Sequence, residues 1–274
     1  MTATRLAVLG SPIEHSRSPQ LHLAAYRHLG LDWSYERIEL GESALGDFLA
    51  ARGPDWRGLS LTMPLKDEAF RLARTRDRLA AATASVNTLL WDERRAVHGF
   101  NTDVPGLVNA VREQEGAALR DVLVLGAGAT ARSAVVAAAE LGAEAVHVAV
   151  RTPAKGEALA PLAASVGLRV SVGALDALPD RADLVISTLP GGVELAASPP
   201  VDLRSEALLF DVAYAPWPSA LAEAWEAAGG RAVSGLGMLL HQALVQVRIF
   251  VAGDPLAPMP DEEGVLAAMR AALA

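Results

Sequence analysis

The chain has no cysteine, which removes disulfides, thiolate metal sites and a cysteine nucleophile, and with them any direct reading of redox compartment. It has no apolar run approaching a membrane span, and the opening MTATRLAVLGSPIEHS carries too short an apolar stretch for a secretory signal. A cytoplasmic protein is expected. An excess of basic residues is missing too: 24 Lys and Arg against 32 Asp and Glu leave a net charge of −8. That balance argues against a nucleic-acid or anionic-membrane surface, while leaving room for a local basic pocket and small anionic substrates. The six histidines, His15, His22, His28, His98, His147 and His241, show no paired ligand spacing such as H-E-x-x-H, so no catalytic metal is expected.

What is present is enough chain, 274 residues, for a good core in one large or two modest domains. The most informative stretch is DVLVLGAGATARSAVV at 121–136. A β-branched apolar run meets a Gly-Ala-Gly turn and then a helical pattern of small residues. The spacing G-x-G-x-x-A places Gly126, Gly128 and Ala131 where a dinucleotide fold needs a tight turn, close phosphate approach and close helix–strand packing. Amide groups at such a helix start attract a pyrophosphate.

Before this stretch, strands are expected over 6–9, 35–40 and 58–64, with helices over 18–30, 42–52 and 67–74. Ser18 is a good N-cap, with Pro19 in the first turn. Lys66 falls at a strand-to-helix junction just after Pro64. Segments 86–91 and 96–100 flank a charged turn and suggest a hairpin. In NTDVPGLVNAVREQEG, Asp103 can cap a helix starting near Val104. From residue 121 the rhythm becomes regular, with strands at 146–150, 168–172, 184–187, 208–212 and near Ala232, a helix over 153–166, and long helices at 236–251 and 262–273. Such alternation predicts a parallel, doubly wound sheet.

The expected fold is therefore α/β in two domains. An N-terminal α/β substrate domain spans 1–103, a Rossmann-type nucleotide domain spans 104–237, and C-terminal helices at 238–274 pack back on the first. The cleft between the domains is the expected active site, with closure on binding.

At the end of the second nucleotide-domain strand, HVAVRTPAK carries no acid to bind a free ribose 2′-hydroxyl. Arg151, Thr152 and Lys155 instead place two cations and a hydroxyl where a 2′-phosphate would sit, favouring NADP over NAD.

Singly, the polar candidates have ordinary explanations. Lys66 could be a solvated surface group, and Asp103 and Ser18 could be caps. Ser16, Thr62 and Asn87 could be turn or strand-end residues, and Tyr214 and Gln242 could be satisfied locally. In order along the chain, however, stand SRSP at 16–19, LTMPLK at 61–66, VNT at 86–88, NTDVPG at 101–106, GAGATAR at 126–132, DVAYAPWPS at 211–219 and GLGMLLHQA at 235–243. This set resembles the shikimate dehydrogenases over essentially the whole chain.

The resemblance implies reversible, NADP-dependent reduction of 3-dehydroshikimate to shikimate in chorismate and aromatic amino-acid biosynthesis. It implies Lys66 and Asp103 as the catalytic pair, with Ser16, Ser18, Thr62, Asn87, Tyr214 and Gln242 holding the substrate's hydroxyls and carboxylate. On the cofactor side it implies Gly126, Ala127, Gly128, Ala129, Thr130, Ala131, Arg151, Thr152, Lys155, Val212, Gly235 and Met238. The chemistry agrees: hydride addition to a ketone builds negative charge on oxygen, which an ammonium stabilises and protonates. A carboxylate beside the amine orients it and could itself take part in the proton transfer, so the residues alone leave open which of Lys66 and Asp103 is the proton donor or acceptor.

Five places depart from the family's commoner pattern. Ser60 stands where Asn is frequent, Phe100 replaces an acid, Ala129 replaces the third loop glycine, Val150 replaces an Asn, and ISTLP at 186–190 replaces a more polar stretch. The nearest alternative is a quinate/shikimate dehydrogenase using NAD, and a more distant one is a non-catalytic binding protein on the same fold. A monomer or homodimer is expected.

Overall fold

A computed structural model of the chain describes residues 4–114 and 119–274. The expectations for the first three residues and for the end of the NTDVPGLVNAVREQEG stretch, Glu115 and Gly116, lie outside them. Two compact units emerge, one of residues 1–106 with 239–274, the other of 107–238.

The first unit is built in chain order from β1 (Thr4–Gly10), α1 (Ser18–His28), β2 (Trp33–Glu39), α2 (Leu45–Ala50), β3 (Trp56–Leu61), α3 (Lys66–Leu72), β4 (Thr75–Arg76), α4 (Arg78–Thr83), β5 (Thr88–Trp91), β6 (Val97–Phe100) and the first turn of α5 (Asp103–Arg112), the rest of which belongs to the second unit. Its sheet has the order β2-β1-β3-β5-β6-β4. β1 lies parallel to β2 and β3, whereas β5 runs antiparallel to both β3 and β6.

β1 is buried on both faces, which explains its unbroken apolar run. Leu6 and Val8 join a cluster with α1 and the C-terminal helices, while Ala7 and Leu9 join one with Trp56, Leu59, Leu65 and Trp91. The parallel pairing brings the ends of β1 and β3 to one edge, where the hairpin also delivers the start of β5 and the end of β6.

The second unit continues with β7 (Asp121–Leu125), α6 (Ala129–Glu140), β8 (Ala145–Val150), α7 (Pro153–Glu157), α8 (Ala160–Ser165), β9 (Arg169–Ala174), β10 (Leu184–Ser187), α9 (Val201–Glu206), β11 (Leu208–Asp211), α10 (Ala220–Ala227) and β12 (Arg231–Ser234). All six strands are parallel in the order β12-β11-β10-β7-β8-β9, the doubly wound dinucleotide topology. Its core stacks Leu123, Leu125, Val185, Leu209 and Trp225. The chain ends with α11 (Leu236–Ala252) and α12 (Glu262–Ala271), and α12 is pinned by the Arg248–Glu262 ion pair.

Several local expectations are corrected. The helix expected over 153–166 is two short helices, and that over 42–52 is only Leu45–Ala50. Ser18 is not an N-cap: Arg17 occupies the cap position, and the Ser18 N–H instead donates to Ser16 Oγ at 3.4 Å. Asp103 does not cap either. The N–H of Val104 donates to Asn101 Oδ1 at 3.2 Å, so Asn101 supplies the cap and Asp103 becomes the first helical residue.

Buried polar side chains thread the first unit. His22 is fully buried, stacked on Tyr35 with centroids 4.1 Å apart, and hydrogen-bonded to Tyr26 and Gln246, both at 3.1 Å. Burial pushes its imidazole from 6.5 down to about 3, against the weaker opposing pull of the Gln246 bond. In the unfolded chain the imidazole protonates near its ordinary value, so between about pH 6.5 and 3 the unfolded state binds the extra proton. The contribution of neutral His22 is complete above that window and is lost as pH falls through it. Urea unfolding between about pH 7 and 4 is expected to show stability falling toward acid, with up to about 1.4 kcal/mol per pH unit from this group. His22→Gln should flatten that part of the curve, and an unchanged slope would contradict the assignment.

Candidate active site

β3 ends at Leu61, and Thr62 to Leu65 turn into α3, whose first residue is Lys66. A cation there faces the positive end of a helix dipole, a placement disfavoured without a nearby anion. Asp103 provides it. Lys66 Nζ donates to Asp103 Oδ2 at 2.6 Å, with the two side chains 11% and 6% exposed. The Lys66 carbonyl also accepts from Val86 N–H at 3.1 Å, tying the helix start to the segment entering β5.

Asn87 occupies the junction between these pieces. Its carbonyl accepts from Leu61 N–H at 2.7 Å, and its N–H donates to Phe100 O at 3.1 Å. Its side-chain Nδ2 donates to Asp103 Oδ1 at 2.9 Å, and its Oδ1 accepts from Thr102 N–H at 2.9 Å. Both carboxylate oxygens of Asp103 therefore have donors, as a buried charge requires.

Gln242 reaches the same cluster from α11: its Oε1 accepts from Thr102 Oγ1 at 3.4 Å, and its Nε2 is held by Leu239 O at 2.8 Å. Lys66, Asn87, Thr102, Asp103 and Gln242 thus form one hydrogen-bonded group. Ser16 and Ser18 lie on the segment after β1, and Thr62 lies beside its end, where its Cγ2 would be 2.3 Å from a Cβ on Gly10. Tyr214 belongs to the second unit, after β11.

Thr88, Thr102 and Gln246 escaped the sequence reading. All three are essentially buried. Gln246 could have been found from its position four residues after Gln242 on a largely apolar helix, which puts both amides on one face.

In the second unit the cofactor-side candidates gather at the carboxyl edge of the parallel sheet, where such sheets bind ligands. Gly126 has φ +108°, a backbone closed to L side chains at low cost, and a Cβ there would meet Thr188 Oγ1 at 2.6 Å. A Cβ at Gly128 would meet nothing within 4 Å, leaving room for a phosphate before α6, whose cap position makes no side-chain bond. Ala127 lies between these glycines, and Ala129, Thr130 and Ala131 form the first turn of α6.

Arg151, Thr152 and Lys155 are exposed beyond β8, and no ion pair with a described residue holds either cation. Gly235 is pressed against Val212, whose carbonyl oxygen would lie 2.0 Å from a Cβ. Met238 is buried on α11. This edge fits a phosphorylated dinucleotide: open amides for the pyrophosphate, and, past the second strand, two cations without an ion pair among the described residues for a 2′-phosphate. Among the described residues no cluster of His, Asp or Glu could hold a metal ion, and no helix is long and apolar enough to cross a membrane.

The family model of the shikimate dehydrogenase substrate binding domain matches residues 8–89. The chain is 41% identical to the NADP(+) shikimate dehydrogenase of Methylobacterium radiotolerans over 251 residues, 88% of each chain. Its fold matches the crystal structure of Mycobacterium tuberculosis shikimate dehydrogenase with a TM-score of 0.83 and 42% identity, covering 98% of this chain and 99% of that one. It also matches the Thermus thermophilus shikimate 5-dehydrogenase solved with NADP(H) and shikimate, with a TM-score of 0.82 and 33% identity over 98% and 99% of the two chains.

The two loop glycines should respond differently to alanine. Gly126→Ala is expected to lower the melting temperature by several degrees, about 1–3 kcal/mol, through backbone strain and the Thr188 contact. Gly128→Ala should leave melting within about a degree yet weaken dinucleotide binding in a fluorescence titration, because its methyl fills ligand space. Matching behaviour of the two variants would count against this reading of the loop.

Proposed function

Because the chain belongs to the shikimate dehydrogenase family, we propose that it catalyses the reversible NADPH-dependent reduction of 3-dehydroshikimate to shikimate, a step of chorismate and aromatic amino-acid biosynthesis. It is an NADP-dependent oxidoreductase acting on a CH–OH group. We place it in the cytoplasm, as a monomer or homodimer.

The observation that carries this reading is the Lys66–Asp103 pair at 2.6 Å. Bound NADPH supplies the hydride that reduces the substrate ketone. As the carbonyl oxygen gains negative charge, the Lys66 ammonium stabilises it by hydrogen bonding and delivers the proton that completes the hydroxyl. Asp103 holds that ammonium through one oxygen, while Asn87 holds the other, so the donor does not have to be ordered during the reaction. In the reverse direction the amine of Lys66 receives the hydroxyl proton.

Ser16, Ser18, Thr62, Asn87, Tyr214 and Gln242 hold the substrate's hydroxyls and carboxylate. Such hydrogen-bonding groups discriminate strongly, because an analogue lacking a hydroxyl leaves one of them unpaired. On the cofactor side, Gly126 to Ala131 bind the pyrophosphate, Arg151, Thr152 and Lys155 bind the 2′-phosphate, and Val212, Gly235 and Met238 line the remaining edge.

Absorbance growth from NADPH on mixing protein, shikimate and NADP is the direct test. Turnover is expected to favour shikimate over quinate and NADP over NAD, and preference for quinate with NAD would overturn the proposal. Lys66→Ala should lower kcat by about 10²–10⁴-fold while NADP binding persists. Unchanged turnover in that variant would refute the assigned role.

A further inference from the structure

We propose that Gln246 is a positioning residue for the Lys66–Asp103 pair, acting through Thr88 and Asn87 along a one-way chain of buried hydrogen bonds. The kinetic part of the test rests on the function proposed above, whereas the geometric part does not.

Gln246 is 1% exposed, and both ends of its amide are taken by protein groups, so we read it as acting through its neighbours. Its amide orientation is set by a group that cannot switch roles. The backbone carbonyl of Asn87, which only accepts, lies 3.3 Å from Gln246 Nε2, and Thr88 Oγ1 lies 2.9 Å from the same nitrogen. The amide oxygen must then face the other way, where Ser60 Oγ donates to it at 2.7 Å and His22 Nε2 stands at 3.1 Å. Tyr35 gives its proton to Ser60 at 2.6 Å, which commits the Ser60 proton to Gln246. His22 donates from Nε2 and accepts from Tyr26 at Nδ1, one tautomer throughout.

On the other side, the Thr88 hydroxyl oxygen accepts from Gln246, so its own proton is directed at Asn87 Oδ1, 3.0 Å away. Asn87 Oδ1 also takes the Thr102 N–H, which leaves Nδ2 to donate to Asp103 Oδ1 at 2.9 Å. Reversing Asn87 would set its NH2 against the Thr102 N–H and its carbonyl oxygen against a carboxylate. Every donor from Tyr35 through Ser60, Gln246, Thr88 and Asn87 therefore points toward Asp103. Aligned bonds in a buried setting polarise one another in the same sense. Ser60, the departure from the family's commoner Asn, is a link in this chain.

Removing the Gln246 donor frees the Thr88 hydroxyl to turn elsewhere, and Asn87 Oδ1 then loses that hydroxyl and keeps only its contacts with Thr102. Asp103 and Lys66 are then held less closely, and a displacement of about 1 Å at reacting groups costs up to about a hundredfold in rate.

Thr88→Val keeps the shape without the hydroxyl, Thr88→Ser keeps the hydroxyl, and Gln246→Glu keeps the length without the donor. Thr88→Val and Gln246→Glu are expected to lose about ten- to a hundredfold in kcat for shikimate oxidation, with the Kd for NADP unchanged. Thr88→Ser should recover most of what Thr88→Val loses, a rescue that a general packing defect would not produce. Adding Gln246→Glu to Asn87→Ala should cost no more than Asn87→Ala alone, since both act through one contact. A crystal structure of Thr88→Val should show the Asn87 amide turned from Asp103. Wild-type turnover in Thr88→Val, equal losses in Thr88→Val and Thr88→Ser, or losses that multiply in the double variant would each overturn the proposal. If Gln246→Glu melts without cooperativity, the two Thr88 variants decide. A wild type inactive on shikimate would defeat the functional reading alone. The Thr88→Val structure then decides, an Asn87–Asp103 contact still in place overturning the positioning role.

Discussion

The arrangement of the first unit depends on one constraint: an ammonium and a carboxylate, both largely withdrawn from water, must satisfy each other, and the carboxylate's second oxygen must find a donor of its own. The Lys66–Asp103 contact is short and buried, and desolvating two charges is repaid only when geometry and additional donors are good. The chain meets that condition by dividing roles at the start of α5. Asn101 takes the cap, its Nδ2 donating to Thr83 Oγ1 at 2.9 Å and Ser85 O at 3.1 Å, and the Asp103 carboxylate is left for Lys66 and Asn87. Were Asp103 the cap, one of its oxygens would be turned to the α5 backbone, and the pair could not be doubly held.

The same constraint explains why a polar network is tolerated among the sheet and helices of this unit. A half-satisfied buried network is worse than an apolar core, whereas a complete one fixes a single arrangement. Here His22, Ser60, Thr88, Asn87 and Gln246 are each paired on both sides. Around them the apolar clusters on the two sheet faces supply the burial that stabilises the unit.

Much of this was legible in the residues, and what was not has physical reasons. Strands buried on both faces announce themselves as short apolar runs, so β1, β7, β8 and β10 stand out. The exposed two-residue β4 and the short α4 did not, because neither buries enough to carry a pattern. Ser18 and Asp103 both matched cap chemistry, yet residues one or two positions earlier hold the cap positions; cap propensity names a residue type, while its place depends on how the preceding strand delivers the chain. Lys66, Asn87 and Asp103 were suspected together only through the motif set, since each has an adequate ordinary explanation alone. Thr102 and Gln246 act through neighbours distant in sequence, and that kind of role leaves little local trace.

The departures in the nucleotide unit follow from where each side chain falls. Ala129 replaces a glycine at the first residue of α6, a helical position after a cap residue at φ −81°, so no left-handed backbone is demanded there. The residue that does need glycine's freedom is Gly126, at φ +108°. Val150 is 3% exposed at the end of β8, and its Cγ2 would stand 3.1 Å from a Cβ on Gly156, so it packs against α7. In the proposed site, recognition of the ribose phosphate therefore falls to the residues just beyond the strand, Arg151, Thr152 and Lys155. Charge placed there, with no acid to bind a bare 2′-hydroxyl, would favour the phosphorylated cofactor without any help from position 150.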